Sequence, residues 1–437
     1  MMEWWLASLL LMGAFFLLII LGVPIVHGFF SVNIVFLFVF MGEAGLELMI
    51  DSIYGSLTVF VLLPITLFIL MGEVMFRSGI AMRMIDTLDK WLGNVPGRLA
   101  LLAVGSGTLL ATLSGASIGA TAMLGSTLTP AMQARGYKPK MSIGPLLGSG
   151  GLAVMIPPSA LGVILAVIAS VSVGKLLIAI IIPGLLLGLS YIVYVIGGCI
   201  LDPSAAPAYH VDPTPIRERL KLTLKYVVPL STIIFLVIGV VFIGVATPTE
   251  AAALGTAGAF ALAGIYRGLT WKMTREALRS TLRISVMVLV ILAASQAFTQ
   301  LLAYTGLTRH LVQWVSTLAI PGIWIIVMMH VVTLILGGPI GGIPLIMMTI
   351  PIFIPIVKIL GFDPIWFCVV MLINVELAQI TPPFGITLYV MKGIAKSTTM
   401  GQIVWAAIPI MICHLIVMGL IVVIPALALW LPSLMFK

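Results

Sequence analysis

The sequence predicts an all-α polytopic membrane protein made of two inverted repeats, each holding one re-entrant helical hairpin and one broken transmembrane helix. Three observations carry that prediction. The chain of 437 residues is 61% hydrophobic and only 8% charged, whereas a soluble domain carries about 25% charged residues. Apolar runs long enough to cross a bilayer follow one another from end to end. Two stretches also repeat. LSGASIGATAMLGS, GYKP and LGSGGLAVMIPPS lie within about 113–172, and LGGPIGGIPLIMMT, GFDP and ELAQITPPFG within about 336–397. Pro130, Pro139, Pro157 and Pro158 fall 225 residues before Pro355, Pro364, Pro382 and Pro383, as Gly136 does before Gly361. Broken apolar segments at matching places in two halves mark a secondary transporter, with its site between the repeats near the bilayer centre.

Taken in order, spans are expected near 4–21, 24–42 and 56–76. The first reads as a retained span, because MMEWW has no basic region and no cleavage site. In 78–92, Ile80, Met84, Ile85, Leu88 and Trp91 fall at helical spacing, which predicts an amphipathic interfacial helix. A hairpin over 97–135 has its tip at Ser114–Ser117. A span over 140–172 is interrupted by Pro157-Pro158, and another follows over 175–200. Asp202–Lys225, with four prolines, reads as a polar connector. The second half repeats the order: spans near 226–244 and 249–266, a basic loop to Arg283, a span to about 304, and an amphipathic piece at 307–315. A hairpin over 320–360 has its tip at Gly337–Gly342. A span broken at Thr381-Pro382-Pro383 and a last span over 402–430 complete the chain.

Five crossings per half make the second half start on the opposite side, so the repeat is inverted. Charge supports the layout. With the N-terminus outside, 18 of the 22 Lys and Arg fall on the cytoplasmic side, as basic residues do in inner membranes. Those residues lie between apolar spans and form no single patch, so the net charge of +8 does not suggest nucleic acid. Cys199, Cys368 and Cys413 lie in apolar spans without metal-ligand spacing and read as packing residues. No nucleophile elbow, zinc-binding helix motif or P-loop is present, so the chain is not expected to be an enzyme.

The breaks carry the chemistry. A proline has no N–H, so Pro157 and Pro158 free the carbonyls of Ala153 and Val154, and Pro382 and Pro383 free those of Ala378 and Gln379. In hydrocarbon each orphan carbonyl costs several kcal/mol. Both spans should therefore unwind at their midpoints, facing the hairpin tips. Ser149 and Ser159, which flank the first break, and Asn374 and Glu376, which precede the second, are candidates for the substrate pathway. Oxygen ligands without an obligatory carboxylate suit Na⁺, while half-helix N-termini offer N–H groups to an anionic substrate. The same Gly and Ser residues also serve close helix packing. Glu376 is a proton or substrate group, or a brace for the unwound segment. Glu250, after Thr247, reads as a helix-capping acid. The scattered His27, His310, His330 and His414 read as structural.

With these motifs in view, the chain resembles the large membrane subunit of TRAP transporters, the DctM family. The matching stretches are LTPAMQARGY (128–137), VMIPPS (154–159), ATPTEAAALG (246–255), TIPIFIPIVKILGFDP (349–364), ITPPFGITLYVMKGIA (380–395) and IPALALWLP (424–432). The resemblance implies a Na⁺-coupled elevator-type transporter of the bacterial inner membrane. It would take up an organic acid, a carboxylate or sulfonate, delivered by a periplasmic DctP-type binding protein. A separate four-helix DctQ-type subunit would widen the scaffold. Scaffold helices would occupy 1–92 and 226–318, transport-domain halves 93–200 and 319–437, and the connector 201–225. Family sodium sites map by position to Ser114, Ser117, Gly148, Gly151 and Pro157, and to Gly337, Gly342, Ala378, Thr381 and Pro383. Many relatives carry an acid in the second tip where this chain has Gly341.

Overall fold

The computed structural model describes residues 4–58, 62–114, 117–209 and 214–435, and their side chains other than those of 4, 8 and 110–114. Among the described residues every regular element is helical. In the first half these are α1 (Trp4–Ile20), α2 (Ile25–Met41), α3 (Glu43–Leu57), α4 (Leu63–Arg77), α5 (Ile80–Leu92), α6 (Arg98–Ser114), α7 (Ser117–Ala134), α8 (Pro139–Met155), α9 (Ala160–Ile168), α10 (Val173–Ala179) and α11 (Ile181–Leu201). The second half has α12 (Ile216–Leu222), α13 (Val228–Phe242), α14 (Pro248–Ile265), α15 (Trp271–Tyr304), α16 (Leu307–Thr317), α17 (Gly322–Ile340), α18 (Gly342–Ile359), α19 (Pro364–Ile380), α20 (Ile386–Ile394), α21 (Met400–Val423) and α22 (Ala426–Ser433).

The proline register becomes a register of helices. α7 and α18, and likewise α8 and α19, start and end 225 residues apart. Both expected breaks are present: α8 and α9 are bent by 48° across Pro157-Pro158, and α19 stops at Ile380, before Pro382-Pro383. Gly151 and Glu376, equivalent positions of the two repeats, face each other. A Cβ on Gly151 would lie 3.4 Å from Glu376 Oε2. The repeat axis therefore passes between α8 and α19, which are the most completely buried helices of the core.

Local chemistry explains the ends of the elements. Thr247 and Glu250 form a reciprocal cap on α14: Thr247 N–H donates to Glu250 Oε2 at 2.7 Å, and Glu250 N–H donates to Thr247 Oγ1 at 3.3 Å. This is the role expected of that acid. Thr399 and Gln402 do the same for α21. α5 turns 65° away from α4, burying Ile80, Met84 and Ile85 while Arg83 and Asp86 stay exposed. Arg98 then pins α5 to the start of α6, donating to both carboxylate oxygens of Asp89 at 2.8 and 2.6 Å.

Four expectations are corrected. The span over 56–76 begins only at Leu63, as α4, and residues 43–57 before it form a separate helix, α3, whose Glu43, Glu47 and Asp51 are exposed. The connector is helical from Ile216, running through a wider π-type turn at Thr223–Val227 into α13. Its side chains bond to α5, Glu218 to Lys90 and Thr223 to Trp91. The basic loop before Arg283 is helical from Trp271, capped by Thr270 Oγ1, which accepts from Met273 N at 3.1 Å. Its polarity reflects an exposed helix face and not a loop. The last span ends at Val423, and α22 is a separate short helix after Pro425. Cys199, Cys368 and Cys413 are buried free thiols.

At the end of α11, Asp202 gathers the loop that precedes α8. Lys138 Nζ lies 2.9 Å and Lys140 Nζ 3.1 Å from its Oδ2, and Ser204 donates to Oδ1 at 2.6 Å. The Ser204 hydroxyl and the two ammonium groups hold this carboxyl well below its ordinary value of 3.8. A depressed carboxyl stabilises the fold above its unfolded value and loses that contribution as pH falls through the folded one. Asp202→Asn is therefore expected to lower the unfolding temperature at neutral pH. The gap to the parent protein should close progressively as pH falls below 3.8 in a thermal-unfolding series.

Candidate functional site

In each repeat one hairpin limb runs parallel to the broken helix, so two helix C-termini converge at the break. In the first, Leu99 N–H donates to Tyr137 OH at 3.5 Å near the start, and Gly107 packs on Ser149 farther along. In the second, Asn374 Nδ2 donates to His330 O at 2.8 Å and to Thr333 Oγ1 at 2.5 Å. Gly337 then meets Ala378 so closely that a Cβ there would lie 2.6 Å from the alanine Cβ. Convergent C-termini concentrate partial negative charge.

The tips cross over to the opposite repeat. Ser117, first residue of α7, donates to Gln379 Oε1 at 3.3 Å, and Gln379 Nε2 donates to Glu376 Oε1 at 2.8 Å. Gly342, first residue of α18, has Val375, Gln379 and Leu161 around the place of its missing Cβ. Behind Glu376, the His414 ring approaches the same face of Gly151. The Tyr191 hydroxyl lies 3.3 Å from that ring.

Ser117, Leu161, Gly342, Glu376 and Gln379 form one wall of a cavity of about 590 Å³. The opposite wall is α2, α4 and α15. The first residues of four helices line it: Ile25 of α2, Ser117 of α7, Ala160 of α9 and Gly342 of α18. Four helix N-termini, with the positive ends of their dipoles, thus favour a negative charge there. Among the described residues Glu376 is the acid of the lining, and no Lys or Arg belongs to it. Most of the remaining lining is aliphatic.

The expected site residues divide by position. Ser117, Gly342 and Glu376 reach the cavity. Ser114 ends α6 with its side chain outside the described residues, as Gly115 and Ala116 are altogether. Gly148 faces Tyr191 and Ile410, and Gly151 faces Glu376 and His414. Pro157 is buried in the first break. Gly337 lies inside α17, which runs on to Ile340, so the expected tip Gly337–Gly342 shrinks to Gly341 between two helices. Gly341 has φ +82°, a conformation glycine adopts without steric cost.

At the second break the freed carbonyls are partly claimed. Thr381 Oγ1 donates to Leu377 O at 2.6 Å, Thr387 Oγ1 to Gln379 O at 2.6 Å, and Thr381 N–H to Ala378 O at 3.3 Å. Pro383 O accepts from Tyr389 OH at 3.0 Å. Ser149 donates to Pro145 O at 2.5 Å, and Ser159 caps α9 by accepting from Gly162 N at 3.0 Å. Neither of these serines lines the cavity, nor does Asn374, whose amide ties α19 to α17. Gln379 was missed. An amide one turn before a proline pair in an otherwise apolar run was the available signal. His414 and Tyr191 come from distant spans and carried no signal of proximity.

The junctions have donors that fit a small hard cation. Thr121 Oγ1, one turn after Ser117, is buried without a hydrogen-bond partner and lies against Gly150. Among the described residues no three His, Cys, Asp or Glu cluster as ligands for a transition metal.

Broken helices, crossed hairpins and a central cavity define a membrane transport protein. The chain belongs to the family described as the tripartite ATP-independent periplasmic transporter, DctM component, whose profile matches residues 12–427. It is 32% identical over 375 residues to the C4-dicarboxylate TRAP transporter large permease protein DctM of Pseudomonas aeruginosa, covering 86% of each chain. It is 29% identical over 427 residues to the isethionate TRAP transporter permease protein DctMQ of Oleidesulfovibrio alaskensis, covering 95% of this chain and 65% of that one. The fold is similar to that of the YdaH transporter of Alcanivorax borkumensis, with TM-score 0.62 and 17% identity over 87% of this chain and 89% of that one.

Gly337→Ala is expected to push α17 from α19 and to cost about 1–3 kcal/mol, read as a lowered unfolding temperature. Gly393→Ala in α20, with nothing within 4 Å of the new Cβ, is the control and should be neutral or slightly stabilising.

Proposed function

We propose that the chain is the large permease of a TRAP system that takes up a small organic acid, a carboxylate or sulfonate, by Na⁺ symport across the bacterial inner membrane. One observation carries the reading: a central cavity walled by both hairpin tips and lined by the first residues of four helices. The N–H ends hold the anion, while the converging C-termini of α6 with α8 and of α17 with α19 hold Na⁺. Ser117 and Thr121 supply hydroxyls at the first junction; Gly337, Ala378 and Thr381 supply main-chain and hydroxyl oxygen at the second. Ser114, Gly148, Gly151, Pro157, Gly342 and Pro383 complete the two sets by family position.

The moving unit in this proposal is α6–α11 with α17–α22, sliding as an elevator against a scaffold of α1–α5 and α13–α16. The cavity lies along that boundary. A periplasmic binding protein delivers the acid, and a small DctQ-type subunit packs on the scaffold. The name DctMQ of the isethionate relative supports the second partner.

Proteoliposomes holding this chain, its small subunit and its binding protein should accumulate labelled succinate or isethionate only under an inward Na⁺ gradient. Accumulation that persists without Na⁺ sinks the proposal. A second reading, proton coupling, is favoured by Glu376 in the cavity lining. It predicts that Glu376→Gln abolishes accumulation while Na⁺ makes no difference.

A further inference from the structure

α15 is longer than its task of crossing requires. Its 34 residues extend about 51 Å at 1.5 Å per residue, against about 30 Å of hydrocarbon. The excess is at its N-terminal end. There Lys272, Arg275, Arg279 and Arg283 follow one another at steps of three or four residues and therefore share a face. All four are exposed, and among the described residues no carboxylate lies within 4 Å of any of them. Glu276 shares this region but is engaged by Arg77 of α4 at 3.2 Å.

The same steps continue along α15 to Met287 and Val290, and both line the cavity. Arg283 is one turn, about 6 Å of rise, before Met287. The helix opposite is in register. α2 runs parallel to α15: Asn33 Nδ2 donates to Ala294 O at 2.7 Å, and Tyr304 OH to Phe40 O at 3.2 Å. This places Pro24 and His27, also in the lining, at the level of the first cavity residues of α15. The cavity thus begins where the row of cations ends, and among the described residues its own walls hold no Lys or Arg.

We infer that Lys272, Arg275, Arg279 and Arg283 form an electrostatic vestibule that conducts the anionic substrate between the cavity and the water at this end of the molecule. This rests on the proposed function, since it needs an anion as cargo. A row of like charges beside a low-dielectric cavity focuses the field and raises the local concentration of a counter-ion. Because the four groups are exposed, salt should screen them over about 10 Å at 0.1 M. They guide the anion without holding it, so they affect the rate of passage more than affinity in the cavity.

The test compares the parent protein with R275Q/R279Q/R283Q in proteoliposomes. Labelled succinate and isethionate serve as probes, Na⁺ is fixed, and ionic strength is raised with choline chloride. At low ionic strength the variant should exchange the transported acid about tenfold more slowly, and the deficit should close as salt rises. A parent-to-variant ratio that does not change with salt overturns the vestibule. So does a ratio that instead follows the phosphatidylglycerol content of the vesicles at constant salt, which would make the row a lipid-headgroup site. If the variant does not fold, the parent alone decides. Its exchange rate should fall with salt, more steeply for the dianion succinate where both acids are carried, and a flat response overturns the inference. Loss of Na⁺-driven uptake of both acids in the parent would instead sink the proposed function.

Discussion

The structure depends on one constraint: backbone released by proline inside an apolar interior must find polar partners within the protein. Each proline pair opens a helix at the middle of the molecule. The second break meets its freed carbonyls from its own repeat, through Thr381 and Thr387, and each hairpin tip then reaches across to the other repeat. The α7 tip reaches Gln379 of the second repeat, and the α18 tip reaches Leu161 of the first. The two halves are thereby locked together at the place where each is least regular. Small residues make the approach possible. Gly337, Gly342 and Gly107 lie where a single methyl group would collide with the facing helix.

That constraint also assigns opposite electrical roles to the two sides of each tip. The limbs that arrive there, α6 and α17, bring C-termini next to the C-termini of α8 and α19. The limbs that leave, α7 and α18, present N-termini to the cavity. In the proposed function a cation and an anion are thus held within a short distance with few formal charges on the protein. The cavity owes this to backbone direction, and for the same reason its lining is largely aliphatic.

Much of this was legible in the sequence, because prolines and glycines act locally. The breaks at Pro157-Pro158 and Pro382-Pro383, the two hairpins and the 225-residue register followed from positions along the chain. Helix ends in polar segments were less legible. Residues 216–225 and 271–283 carry enough charge to read as a connector and a loop, yet both are helical because one face packs while the other meets water. Side-chain partnerships across long separations were not legible at all. Asn374, a substrate-pathway candidate, donates to α17 and does not line the cavity, while the Gln379 side chain came to the cavity and His414 to the back of Glu376 only once the spans were folded together. Gly337 was assigned to a loop because glycine and proline cluster there, but α17 absorbs them up to Ile340.

Gly151 and Glu376 occupy one position of a duplicated unit and stand against each other across the pseudo-twofold. On such an axis a residue meets its own counterpart, and the space admits one long side chain, not two. Identical halves could not both carry glutamate at that point, nor could both carry glycine without leaving a hole. The symmetry of the repeat is broken at this point, and the half with the glycine is the passive partner of the half that holds the carboxylate. Two copies of one sequence have in this way become two unlike sides of a single chamber.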